Sequence, residues 1–331
     1  MSDFLAFRVE RDGDALVRSV KSQRVEDLPE GEVRVEVHYS SLNYKDGLSA
    51  TGNPGVTRNF PHTPGIDAAG VVLESSDPRL AEGQEVIVIG FDLGMGTAGG
   101  FGQQIRVPAD WVVARPAGLS LHESMILGTA GFTAALCVHK LEAMGLGQVG
   151  GPVLVTGATG GVGSVAVRLL AHLGYEVTAA TGKVDAQGDF LKGIGATEVI
   201  DREALREGSN RPLLKEAYGG VVDTVGGDIL ANSIKQLRYG GSAAICGLVN
   251  SPELPATVLP FILRHVNLLG ADSVQLPRLQ KEEIWEKLAG PWKFEGLAQL
   301  EERLTLADLS DGIDRILAGQ MVGRGVVDLR A

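Results

Sequence analysis

Apolar and polar positions alternate with a period of two early in the chain. Val33, Val35, Val37 and Tyr39 are interleaved with Arg34, Glu36, His38 and Ser40, which predicts a strand with one buried face. Residues 85–91 are nearly all apolar and predict a more deeply buried strand. Gly and Pro clusters at Asn53-Pro54-Gly55, residues 61–65 and residues 94–102 punctuate the rest. Strands without regular helices between them predict a small β-barrel-like domain over residues 1–124. From about 125 to 268 the pattern changes. Short apolar runs at 152–156, 176–180, 195–200, 221–225 and 242–246 predict strands, and 165–173 has helical spacing. Strand and helix in alternation predict a parallel, doubly wound sheet. The last stretch, 269–331, carries one charged helical pattern at 280–288 and a terminal strand at 325–329. A lone terminal strand needs a sheet, and the first stretch supplies one. The expected fold is α/β: one domain from 1–124 plus 269–331, with a second domain, 125–268, inserted into it.

Composition narrows the function. The 331 residues are 44% hydrophobic and 21% charged, which suits a buried core and excludes a disordered chain. Forty-five glycines follow no collagen period, so they mark turns and close backbone approaches. A net charge of −11 argues against nucleic acid or an anionic membrane as the main partner. The N-terminus has charges where a signal peptide needs an apolar run, and the uncharged stretch 125–138 is too short to span a bilayer. With only Cys137 and Cys246, neither a disulfide framework nor a multi-thiolate zinc site is available, and a reducing, cytoplasmic setting is expected.

Between the first strand and helix of the inserted domain lies Gly157-Ala158-Thr159-Gly160-Gly161-Val162-Gly163. Glycines there permit a tight turn, a backbone approach to pyrophosphate and close helix packing, while the helix N-terminus offers free N–H groups. The spacing is Gly-x-x-Gly-x-x-Gly, so position between strand and helix carries the reading of dinucleotide binding, against an ordinary glycine-rich turn. The next strand runs into Thr181-Gly182-Lys183, whose hydroxyl and ammonium suit the 2′-phosphate of NADPH. Asp185 is the opposing signal: if the strand ends later, its carboxylate would hold the ribose of NAD. Arg202, after the third strand, is placed to close over the same phosphate or the adenine.

Several segments in order resemble one family: residues 40–46 (Ser-Ser-Leu-Asn-Tyr-Lys-Asp), 59–61 with 64–70, 128–134, the glycine loop, Asp223-Thr224-Val225-Gly226, 239–241, 260–264 and Gly323-Arg324. The chain resembles the medium-chain dehydrogenase/reductase superfamily, in its zinc-free quinone oxidoreductase branch and nearest the acrylyl-CoA reductase subgroup. The resemblance implies a GroES-like domain with an inserted Rossmann domain and the cofactor in the cleft between them. Zinc relatives carry ligating Cys and His residues; here Pro64-Gly65-Ile66-Asp67 stands where the histidine segment would be, and no cysteine precedes 137, so no metal is expected. Without a Lewis acid, hydride acceptance by a conjugated alkene or quinone is the natural chemistry.

The resemblance also assigns residues. Tyr44 would lie near the nicotinamide, hydrogen-bond the cofactor and donate a proton; its bland alternative is a packing tyrosine. Asn43 and Asp46 would fix that loop, and Asp67 would either supply polarity at the catalytic site or hold its own turn. Thr129 and Thr133 would contact the nicotinamide or satisfy backbone. Leu248, Ile262 and Ser273 would line the nicotinamide side, with Thr159, Gly160, Gly161, Val162 and Gly163 on the pyrophosphate. Arg324 would meet phosphate groups of cofactor or substrate, and Arg58 and Arg264 a CoA phosphate. His62 and His139 read as structural, and the two cysteines as small core residues. The implied reaction is NADPH-dependent reduction of acrylyl-CoA, an acyl-CoA thioester. The rivals are a quinone reductase and an NADPH-binding protein without catalysis. A homodimer is implied as well.

Overall fold

The structure is a computed structural model that describes residues 3–208 and 210–331. The chain divides into two compact units, one spanning 1–130 and 273–331 and the other 131–272. Both divisions fall a few residues beyond the expected ones.

The first unit opens with an antiparallel hairpin, β1 (Phe4–Asp12) and β2 (Ala15–Gln23). The strand β3 (Val33–Leu42) follows and leads into a short helix, α1 (Tyr44–Ala50). Next come β4 (Asp67–Ser75), β5 (Glu85–Ile89), β6 (Gln104–Val107) and β7 (Val112–Ala114). The period-two reading holds on β3: Val33, Val35 and Val37 are at most 1% exposed and join Phe7, Val86, Ile105 and Leu309 in one core. A long helix, α2 (Leu121–Ala143), then runs from the first unit into the second. Its length and composition would suit a membrane span, but 83% of its apolar window is buried in the protein, as in a core helix.

The second unit contains a short helix, α3 (Leu146–Val149), and then alternates: β8 (Val153–Thr156), α4 (Gly161–His172), β9 (Val177–Thr181), α5 (Val184–Gly193) and β10 (Glu198–Asp201). The series continues with β11 (Tyr218–Asp223), α6 (Gly227–Lys235), β12 (Leu237–Ile245), α7 (Leu259–Arg264) and β13 (Asn267–Gly270). Its pairings are all parallel, in the order β10-β9-β8-β11-β12-β13. That order reverses direction beside β8, and such a switch point is where an open α/β sheet binds ligands.

The chain then returns to the first unit through α8 (Arg278–Ala289), β14 (Glu301–Thr305), α9 (Leu309–Leu317) and β15 (Arg324–Asp328). The terminal strand pairs antiparallel with β3 and parallel with β14, giving the sheet order β14-β15-β3-β4-β5-β7. The pattern predicted one helix in this stretch; α9 and β14 are additions. Leu309, Ile313, Ile316 and Leu317 fall on one face of α9 and pack on the core, a helical spacing that is present in the sequence.

Candidate active site

The glycine loop connects β8 to α4. Gly157 has φ +60°, and a Cβ there would collide with Thr224 Oγ1. A Cβ on Gly163 would strike the Gly157 carbonyl oxygen and lies 2.7 Å from Ala158 Cα, so this glycine lets the helix close on the loop. Gly160 differs: the nearest atom to a Cβ there is 3.4 Å away. It sits at the N-cap of a 12-residue helix that no side chain caps. Room for no more than an ordinary contact at a helix start without a capping side chain fits a phosphate cradle, which Gly161 and Val162 of the first turn extend.

The strand β9 stops at Thr181, the earlier of the two expected endings. Thr181 Oγ1 lies 3.4 Å from Thr159 Oγ1 and accepts the Lys183 backbone N–H at 3.2 Å. Lys183 therefore begins α5, and Asp185 lies exposed in its first turn. Arg202 follows β10 and lays its guanidinium against Gly182, where a Cβ would be 3.0 Å from Nε. Thr159, Thr181, Gly182, Lys183 and Arg202 thus come together at the carboxyl ends of β8, β9 and β10. Leu248, beyond β12, and Ile262, on α7, are 64% and 68% exposed. Thr133 is buried on α2.

In the first unit a second group of residues assembles around two buried carboxylates. Asp46 accepts the backbone N–H groups of Asn43 (2.8 Å), Ile66 (2.8 Å) and Gly65 (3.1 Å). Asp67 accepts Asn43 Nδ2 at 2.8 Å, the Thr129 N–H at 2.9 Å and the Thr129 hydroxyl at 2.5 Å, and also the Ser41 hydroxyl. Arg324 donates to Ile126 O at 3.0 Å, Ser41 Oγ at 2.9 Å and Asn43 Oδ1 at 3.3 Å, with Asp67 Oδ2 at 4.0 Å. Gly128 breaks α2 with φ 52°, and a Cβ there would meet Ser41, Asp67 and Arg324 together. Burial and, second, the neighbouring Asp67 push Asp46 up to about 7, against the N–H groups that favour its charge. Tyr44 begins α1, next in sequence to Asn43 of this network, and remains 45% exposed.

These placements bear on several expectations. Arg324 is 2% exposed and its guanidinium is spent inside the first unit, so it is no phosphate contact. Asp67 is 0% exposed and acts on its neighbours. Arg264 donates to the Lys235, Leu237 and Leu214 carbonyls and pairs with Glu216, leaving little for a CoA phosphate. Arg58 is tied to Pro54 O at 2.7 Å. Ser273 lies three residues after β13, at the point where the chain re-enters the first unit, and is buried. Sequence reading missed Ser41 and the role of Gly128, since both stand in segments that meet the carboxylates only after folding. Among the described residues, no group of three or more His, Cys, Asp or Glu side chains is arranged to hold a metal ion.

Known proteins resemble the chain along most of its length. Residues 29–117 match the alcohol dehydrogenase GroES-like domain, and 161–289 match a family described as zinc-binding dehydrogenase. The chain is 48% identical over 313 residues to acrylyl-CoA reductase AcuI of Ruegeria pomeroyi, covering 95% of this chain and 94% of that one. It is 46% identical over 327 residues to YhfP of Bacillus subtilis, which carries a quinone oxidoreductase name, covering 98% and 99%. Among solved structures, the YhdH oxidoreductase of Salmonella enterica in complex with NADP superposes with a TM-score of 0.95 at 45% identity, covering 98% of this chain and 99% of that one. The structure of B. subtilis YhfP with NAD bound gives 0.96 at 44% identity, covering 99% and 100%.

Proposed function

Since the chain belongs to the medium-chain dehydrogenase/reductase superfamily, in its zinc-free quinone oxidoreductase branch, we propose that it reduces activated C=C bonds with NADPH, acrylyl-CoA to propionyl-CoA being the reaction. The observation that carries the reading is the glycine cradle joined to Thr181, Lys183 and Arg202. Gly160, Gly161 and Val162 would hold the pyrophosphate. Lys183 and Arg202 would take the 2′-phosphate, because β9 ends early enough to leave Asp185 in a helix instead of at the ribose. When bound, the reduced nicotinamide supplies the hydride for the β-carbon of the thioester.

The rest of the chemistry falls to the chain. Negative charge develops on the thioester oxygen, and a preorganised donor there is worth roughly 3–4 kcal/mol. Tyr44 is the candidate donor: its phenol is exposed, and its backbone is set by the Asn43 N–H bond to Asp46. Asn43, Asp46, Asp67 and Arg324 are positioning residues beneath it. Leu248, Ile262 and Thr133 are the side chains we assign to the nicotinamide surroundings, with Ser273 a buried support. The association of two copies through the edge strand β13 completes the proposal.

Steady-state NADPH consumption with acrylyl-CoA, set against a small quinone, tests it. Efficient, saturable turnover of the thioester is expected. The identity to YhfP favours the quinone reading, and a saturable preference for quinone would replace the thioester. No turnover of either, with NADPH bound, would make the chain a binding protein.

A further inference from the structure

Each guanidinium nitrogen of Arg206 meets a different side chain of the second unit. Nε lies 2.9 Å from Glu203 Oε2, Nη1 pairs with Asp228 Oδ2, and Nη2 donates to Asn250 Oδ1 at 3.1 Å. Asn250 Nδ2 closes the ring by donating to Asp228 Oδ1 at 2.9 Å. The partners come from three segments: the short 3-10 turn Arg202–Arg206 after β10, the first turn of α6, and the turn that follows β12. The last of these is seated on the start of α6. Asn250 N–H donates to Val225 O at 2.8 Å, and a Cβ on Gly226 or Gly227 would collide with Ser251 or Asn250. The turn after β10 is anchored as well. Leu205 is buried and its carbonyl accepts Asn232 Nδ2 at 2.8 Å, while the Asp201 carboxylate accepts the Glu203 N–H at 2.9 Å.

An exposed ion pair by itself contributes little. What distinguishes this one is what Glu203 touches next. Its other oxygen, Oε1, lies 3.4 Å from Nε of Arg202, the guanidinium that rests against Gly182. One carboxylate is therefore shared between an arginine fixed by two further partners and an exposed arginine at the carboxyl ends of the strands. Glu203 works against a 2′-phosphate twice, by like charge and by competing for Arg202. Arg206 opposes both effects, because it draws the carboxylate to itself and offsets its charge.

We infer that Arg206 is a positioning residue that sets cofactor choice through Glu203: by holding that carboxylate it leaves Arg202 to the 2′-phosphate of NADPH. Asp228 and Asn250 fix the fork, so that it cannot follow Glu203 towards the cofactor. The inference rests on the assignment of the 2′-phosphate to Lys183 and Arg202. NADH has a hydroxyl in place of that phosphate, so its affinity does not depend on the pair.

Calorimetric titration of the full chain with NADPH and with NADH tests it. Arg206→Met should weaken NADPH about fivefold, the upper worth of an exposed pair, and leave NADH within about twofold of wild type. Glu203→Gln should bind NADPH more tightly than wild type and NADH equally. In the double variant Arg206→Met/Glu203→Gln, NADPH affinity should return at least to the wild-type value, which no loss of packing around Arg206 would allow. Equal weakening of both cofactors by Arg206→Met, without recovery in the double variant, would overturn the inference. So would a wild-type preference for NADPH that Arg206→Met leaves intact, or an unchanged NADPH affinity in Glu203→Gln. A wild-type protein that binds NADPH no more tightly than NADH would remove the 2′-phosphate reading and this inference with it. If Arg206→Met fails to fold, Glu203→Gln decides, since that side chain is exposed.

Discussion

Arg324 is the residue on which the first unit's buried charge depends. Its guanidinium lies beside Asp67 and Asp46, and burial lowers it while those two carboxylates raise it. Arg324→Met would leave the carboxylates without a counter-charge, and breaking such a pair costs about 3–5 kcal/mol. Chemical denaturation of the two proteins should show that loss. Asp46 gives a second expectation, in pH. Its folded pKa, about 7, lies above its ordinary 3.8, so the native state binds the proton more tightly than the unfolded chain. Below the lower value both states are protonated and the contribution is whole. It falls as pH rises towards 7, by at most about 1.4 kcal/mol per pH unit. Asp46→Asn removes the titration, so the stability gap between wild type and variant should narrow between pH 4 and 7; parallel curves would show that Asp46 stays charged. For Tyr44, replacement by Phe should lower kcat for acrylyl-CoA by about 100-fold with an unchanged melting temperature, because the side chain is exposed at the start of α1.

At the scale of elements, the glycine loop separates folding from binding. Gly163→Ala forces α4 away from Gly157 and should lower the melting temperature. Gly160→Ala makes only an ordinary contact in the protein but fills the cradle, so it should melt like wild type and bind NADPH at least about tenfold more weakly, as calorimetry would report. Equal binding by Gly160→Ala would displace the pyrophosphate from this loop. The same elements show what a reader of the sequence can see. Strand β3 was legible because one face is core and the other is not, and the β8–α4 junction because glycine has few other reasons to cluster between a strand and a helix. Ser41, Asn43, Asp46, Asp67, Gly128 and Arg324 were not legible as a network. Each polar member has the chemistry of a solvated residue, and β15 pairing with β3 is what carries Arg324 to the others. The single strand–turn periodicity of a segment holds no information about a contact nearly three hundred positions away.

For the molecule as a whole, cofactor choice and assembly are the measurable properties. NADPH should bind more tightly than NADH, and Lys183→Ala should narrow the difference. Equal affinities in the wild-type protein would remove the 2′-phosphate assignment. Two copies should elute as a dimer in light-scattering chromatography, with β13 at the open edge of the parallel sheet as the contact. Placing a proline in β13 should return a monomer.

The return of β15 into the first sheet has a consequence for biosynthesis. A ribosome delivers β3 and β4 first, yet the strand that lies between β14 and β3 emerges only after the whole inserted unit. The inserted unit is complete in sequence by Asp272, so it can fold while the rest is still being translated. Until Arg324 leaves the exit tunnel, Asp46 and Asp67 wait without their cation, and a nascent chain stalled before that residue should be protease-resistant only across its middle.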